Sequence, residues 1–310
     1  MTQALHTAIS GELGRATPAA VTALAENLAR RGSGATAAVL YYGSTLRADA
    51  LDGMLDFYVL LDNVGAWPGS PLAKLANRVL PPNVGYVEFN FQGQVLRAKY
   101  AVMSVVQFRS RLGRLSLDTT IWARFCQPVM CPWSRSPRDR DETVNLVSSA
   151  VASAARWAVE LGPQTAVAED FWRALFARTY AAELRIEKSG RPQDIVGNAA
   201  DRYTALLPLA LDAAQIRFNL EAGMLTPALD ADHRERAQRS WKLRERLGRP
   251  LNILRLLKAA FTFEGAMDYV VWKIERHRGV RIEVSPWQRR FPLLAAPGLY
   301  WQLRRRGIIR

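Results

Sequence analysis

The chain has 310 residues, of which 49% are hydrophobic, and its 42 Lys and Arg against 28 Asp and Glu give a formal charge of +14. This is enough apolar material for a real core and for two domains, but no run approaches the roughly eighteen apolar residues of a membrane-spanning helix. Glu12 and Glu26, and the lack of an apolar core in the first thirty residues, argue against secretion. The two cysteines, Cys126 and Cys131, fit reduced thiols of a cytosolic protein better than a disulfide. The charge is uneven: Arg234 to Arg310 holds nineteen Lys or Arg and six Asp or Glu. Such a local excess is the footprint of an acidic partner, either nucleic acid or an anionic membrane.

In chain order, residues 1–34 predict helix, with Ala19, Val21, Leu24, Leu28 and Ala29 at helical spacing before Arg30-Arg31-Gly32. Ala37 to Tyr42 and Met54 to Leu61 have the content of buried strands, with Gly43-Ser44 and a short helix-compatible segment between them. Trp67-Pro68-Gly69-Ser70 opens a loop, a helix runs to Leu80, and Pro81-Pro82-Asn83 stops it. Val84 to Phe91 and Val95 to Met103 predict a hairpin about Gln92-Gly93-Gln94. Residues 105–127 predict helix, Pro128 to Pro137 an irregular stretch with three prolines, and Asp139 to Leu161 a helix of small residues. Leu161-Gly162-Pro163 closes the first domain, and residues 164–233 continue as helices with Phe171, Trp172, Leu175, Phe176 and Tyr180 as core. The expected fold class is α+β: a mixed-sheet domain over 1–160, a helical, winged-helix-like domain over 161–245, and a basic amphipathic region over 246–310.

The chemistry gathers around the first two strands. A strand that stops at Gly43-Ser44 and enters a helix offers backbone N–H groups to a phosphate. On the second strand, Asp56, Tyr58 and Leu60 share a face, so Asp56 is an ionisable group in an apolar strand, where a carboxylate needs a partner or a cation. Gly-Ser, eleven residues, then Asp resembles the signature of the nucleotidyltransferase fold of polymerase-β-like enzymes. That resemblance implies a Gly-Ser turn holding a triphosphate and strand carboxylates holding Mg²⁺. The second acid expected two residues after Asp56 is here Tyr58. Glu88, sharing a face with Tyr86 and Asn90, is a candidate for the missing metal ligand if its strand neighbours that of Asp56; otherwise it is an ordinary solvent-facing residue. Lys99 either reaches a phosphate as a point charge or is a surface lysine, and Asp56 itself could cap or pair locally.

The whole pattern resembles the mitochondrial translocator assembly and maintenance type of phosphatidate cytidylyltransferase, the mitochondrial CDP-diacylglycerol synthase. Tyr42-Gly43-Ser44 is similar to that family's Y-G-S and Met54-Leu55-Asp56-Phe57 to its M-[IL]-D-F. Asp62 with Trp67, and Phe89-Asn90, resemble its later aspartate, tryptophan and aromatic-Asn pair. Lys99 to Ser104 resembles K-Y-G-V-[IV]-S, and Arg124 through Pro128-Val129 resembles G-R-x-x-K-P-V. Thr179 to Ile186 resembles S-Y-x-G-D-x-R-M, and Ile195-Val196 its later I-V. Ala101 and Ala123 stand where the pattern has Gly, Gln127 where it has Lys, and Ala182-Glu183 where it has Gly-Asp. The absence of an Arg-rich, acid-poor transit segment ahead of the motif suits a divergent, bacterial relative. The resemblance implies CTP plus phosphatidic acid giving CDP-diacylglycerol and pyrophosphate, with Mg²⁺ on Asp56, the triphosphate at Tyr42, Gly43 and Ser44, and Lys99, Arg124 and Arg185 offsetting the repulsion of two anions. Arg185 could instead salt-bridge on its own helix.

The last region is read on its physics. Leu251 to Phe263 is apolar around most of a short helix bearing Arg255 and Lys258, and Val284 to Arg310 mixes Trp287, Phe291, Leu293, Leu294, Tyr300, Trp301, Ile308 and Ile309 with Arg289-Arg290 and Arg304-Arg305-Arg306. This suits an interfacial anchor on the inner face of an anionic membrane, the alternative being a helix docked on the protein with solvated arginines. Two other functions compete: a nucleotidyltransferase with another acceptor or nucleotide, and a catalytically silent relative that binds nucleic acid through the basic tail. Nucleic acid is disfavoured because the tail mixes its aromatics with aliphatics and prolines rather than forming a recognised module.

Overall fold

A computed structural model of the chain describes residues 2–48, 51, 53–182 and 195–305. It is α+β, with a mixed five-stranded sheet and a helical C-terminal part. The sheet is built from β1 (Thr36–Tyr42), β2 (Met54–Leu61), β3 (Asn83–Phe91), β4 (Gln94–Ser104) and β5 (Val129–Ser134), in the order β3-β4-β2-β1-β5. Only the β2–β4 pair is parallel. The strands expected from the sequence lie within a residue of those observed, because β1 and β2 are buried on both faces and appear as continuous apolar runs. Helix starts are equally local in origin. Ser70, Ser104 and Ser136 accept N–H bonds from Ala73, Gln107 and Asp139 at the heads of α4 (Pro71–Val79), α5 (Val105–Ser110) and α7 (Pro137–Leu161).

Two cores flank the sheet. On one face Val39, Tyr41, Phe57, Val59 and Val102 pack under α2 (Ala19–Arg31) and Trp67. On the other, Leu40, Tyr58, Leu60 and Met103 meet α1 (Gln3–Leu13), α6 (Thr120–Phe125), α7, α8 (Ala168–Ala182) and α9 (Ala200–Ala213) in a larger core that includes Trp122, Trp157 and Trp172. A hairpin of β6 (Phe218–Glu221) and β7 (Met224–Pro227) precedes α10 (Ala231–Thr262), α11 (Ala266–Arg278), α12 (Pro286–Arg290) and α13 (Pro292–Arg305). Between β1 and β2 lies α3 (Ser44–Ala48). Among the described residues no helix is long and apolar enough to cross a membrane.

The structure corrects several expectations. Within the helical span expected over 1–34, α1 and α2 lie on opposite faces of the sheet, with a break that begins at Gly14. The span 105–127 is two short helices separated by the loop of Gly113 and Asp118. The proline-rich stretch expected to be irregular contains β5. An edge strand tolerates a residue that cannot donate, and Pro132 falls where the β1–β5 register shifts between Val39 and Tyr41. The β6–β7 hairpin interrupts the expected helices of 164–233, turning at Ala222-Gly223, both at positive φ. The division at 245–246 falls inside α10, so the basic region continues a helix whose Trp241 is already in the main core.

Candidate active site

One row of paired residues crosses all five strands: Val129, Tyr42, Asp56, Lys99 and Tyr86, from β5 to β3. Directly paired residues share a face, so Asp56 and Lys99 stand side by side on the face that carries the larger core. The next row, Tyr58, Ala101 and Val84, continues the same floor. Over it lies a pocket of about 220 Å³, lined by Tyr42, Gly43, Ser44, Asp56, Lys99 and Arg124 together with Tyr58, Ala101, Gln127, Pro128 and Tyr180. Six of the eight residues singled out from the sequence therefore converge on one cavity. Its size is below the roughly 300–1,000 Å³ usual for an entire drug-sized ligand, so it suits the polar end of a larger one.

Gly43 is required twice over. Its φ is +99°, a conformation in which a side chain is strained, and a Cβ there would sit 2.6 Å from Asp56 Oδ2. The carboxylate thus rests against the turn. With only five residues in α3, the macrodipole contributes little, and attraction for an anion comes from side-chain cations. Burial pushes the Lys99 amine below the ordinary lysine range; Asp56 opposes that shift, while Arg124 and Lys273 reinforce it. Arg124, in the last turn of α6, lies 5.3 Å from the centre of the Tyr42 ring and 6.0 Å from that of Tyr58. The loop ahead of α6 is fixed by Asp118, a buried carboxylate that pairs with Arg255 of α10 and accepts the Thr120 backbone N–H at 3.0 Å. Despite burial, those partners hold its carboxyl below the usual range.

Tyr58 takes the place of the expected second acid for a packing reason. It is 1% exposed, with its ring 5.0 Å from Phe125 and 6.4 Å from Phe108, and burial raises its phenolic pKa. A carboxylate there would be seated among aromatic rings. Glu88 does not supply the missing ligand. β4 lies between β3 and β2, and Glu88 sits opposite Arg97, accepting from Tyr86 Oη at 2.6 Å and from Arg97 Nε at 3.2 Å. Arg185 lies outside the described residues. Among those described, no group of three or more His, Cys, Asp or Glu could hold a metal ion. Mg²⁺ commonly takes one or two carboxylates and fills its shell with water and substrate phosphate, so Asp56 against the Gly43 turn fits an ion that arrives with its nucleotide but not an all-protein cage.

Sequence reasoning missed three contributors. Tyr180 was expected in the core and lines the pocket. Tyr269 and Lys273 were expected in a membrane-facing tail, yet Lys99 Nζ is 5.9 Å from the Tyr269 ring centre and Lys273 acts on Lys99. Their spacing of four residues opposite Met267, Val270 and Ile274 was the signal that α11 has two faces. In comparisons with known proteins, the chain matches no family profile and no curated sequence.

Proposed function

We propose that the protein is a peripheral phosphatidate cytidylyltransferase with a nucleotidyltransferase-type sheet, forming CDP-diacylglycerol and pyrophosphate from CTP and phosphatidic acid at the inner face of an anionic membrane. The observation that carries this reading is the convergence of the Gly43-Ser44 turn, Asp56, Lys99 and Arg124 on one pocket. The choice of CTP and of a lipid acceptor comes from the motif resemblance.

In the reaction an oxygen of the lipid phosphate forms a bond to the α-phosphorus of CTP as the bond to pyrophosphate breaks. Two anions must approach, and the barrier is dominated by their charge. Lys99 and Arg124 offset that charge from two sides of the floor, and Lys273 adds to the field. The turn at Gly43 lets backbone approach phosphate without a side chain between them. Mg²⁺, when held by Asp56 and the triphosphate, would neutralise charge on the phosphoryl group under attack. Burial of the Lys99 amine removes competing water, which strengthens its pull on phosphate.

The C-terminal helices support the membrane part of the reading. Phe261, Trp287, Leu294 and Trp301 are exposed, at 72%, 54%, 70% and 65%, beside Arg289, Arg290, Arg304 and Arg305. Ala295 and Leu299 of α13 are buried against Met267 and Val271, so this helix is docked along one side and apolar along another. Arg306, Ile308 and Ile309, also expected in the anchor, lie outside the described residues. The test is to incubate purified protein with Mg²⁺, phosphatidic acid in detergent and each labelled nucleoside triphosphate in turn. A CDP-lipid product supports the reading, and transfer from another nucleotide or to no lipid overturns it.

A further inference from the structure

Helix α11 presents two faces of opposite character. On the sheet side, the Tyr269 ring lies 5.9 Å from that of Tyr86 and holds Lys99 Nζ over its face. On the far side, Met267, Val270 and Ile274 join Leu256, Phe263 and Leu299 around a cleft of about 490 Å³ with an almost wholly apolar lining. A third cavity, of about 350 Å³, shares Val84 and Tyr100 with the candidate active site and Phe263 with the apolar cleft. The cleft is open, its wall residues Leu256, Val270 and Tyr300 being 62%, 44% and 47% exposed. A concave, almost wholly apolar lining left open to water is the form a binding groove takes.

We infer that this cleft receives one acyl chain of the lipid whose phosphate occupies the candidate active site. Charge complementarity selects that occupant: Lys99, Arg124 and Lys273 lie on the sheet side of α11 and hydrocarbon lines the other. An occupant reaching both must therefore change from anion to alkane within about 10 Å, one helix diameter. A phosphate-bearing lipid has that build, and neither a free nucleotide nor a peptide helix does. The inference rests on the lipid-phosphate acceptor proposed above, but it does not depend on contact between the tail and a bilayer.

The test uses full-length protein and monomeric phosphatidic acids below their micellar concentration, so that no bilayer is present. Calorimetric affinities are compared for glycerol 3-phosphate, dihexanoyl and dioctanoyl phosphatidic acid, in wild type and in Ala260→Trp and Ala296→Trp. Both alanines line the cleft and are exposed, so added bulk fills it without crowding a core. Each methylene leaving water is worth about fourfold in affinity; with one chain engaged, two extra methylenes give roughly fifteenfold from dihexanoyl to dioctanoyl lipid. The expected result is that slope in wild type and less than about twofold in the variants, with CTP affinity and melting temperature unchanged. An equal slope in wild type and variants, or none in wild type, overturns the inference. Chain-length-dependent binding without nucleotidyl transfer would leave the acyl site standing and remove the proposed reaction; transfer indifferent to chain length would do the reverse.

Discussion

The sheet and the C-terminal helices solve burial in opposite ways. The sheet is flanked by a core on each face, and two of its charged residues, Asp56 and Lys99, are paired in register at the edge of the larger core. Among the described residues, the region of α11 to α13 has a small core of Met267, Val271, Ile282, Ala295 and Leu299, and leaves large apolar residues in solvent. A polar group amid strong burial and an apolar surface without burial are both costly to folding, and both point to ligands. The regions are tied together by α10 and by Glu264, two residues beyond its end. Arg255 reaches Asp118, Lys258 donates to the carbonyls of Leu80 and Pro82, and Glu264 accepts from Tyr100 Oη at 2.7 Å and pairs with Arg31.

Cutting the first tie gives the largest expected effect. Asp118→Asn leaves Arg255 without its buried counter-charge and destabilises the fold by about 3–5 kcal/mol, read as a lower denaturation midpoint. If midpoint and turnover stay as in wild type, α10 does not organise the loop ahead of α6, the helix that carries Arg124. Gly43→Ala acts on the site alone: its Cβ meets the Asp56 carboxylate, and displacement on the scale of an ångström lowers turnover by about 100-fold, with strain of about 1–2 kcal/mol from the left-handed backbone. Full activity in that variant would show that the carboxylate need not rest on the turn.

On the other side of the comparison, truncation after Val284 removes Trp287, Trp301 and the terminal arginines. Each basic residue near an anionic leaflet contributes about 1 kcal/mol, so cosedimentation with anionic liposomes should weaken at least tenfold; equal binding by both forms would locate the anchor elsewhere. The smallest effect concerns pH. Burial, aided by Arg255, lowers Lys258 to about 8. The folded protein then sheds this proton before the unfolded chain does, at the ordinary lysine value of about 10.4. Stability of wild type relative to Lys258→Met should therefore rise between about pH 8 and 10, on the order of 0.5–1 kcal/mol after solvent screening. A pH-independent difference would contradict the assignment.

The sheet was legible because doubly buried strands announce themselves as apolar runs; the Gly-Ser spacing singled out Asp56, and the family resemblance added Lys99 and Arg124, which line the same pocket. What was hidden depended on pairing at a distance. Glu88 lies one strand too far from Asp56, a fact of strand order and not of local pattern. β5 hides behind Pro132, acceptable only because that strand is an edge with a bulge. Tyr269 and Lys273 belong to the site because α11 folds back onto β3 more than 150 residues away in the chain, which helical periodicity alone does not reveal.

In the proposed reaction Asp56 and the Gly43 turn organise nucleotidyl transfer to a lipid phosphate. The direct measurement is CDP-lipid formation from CTP, Mg²⁺ and phosphatidic acid by wild type and Asp56→Asn, alongside thermal melts of both. Wild type should turn over and the variant should lose at least about 100-fold at unchanged melting temperature; turnover retained by Asp56→Asn would remove the carboxylate from the reaction.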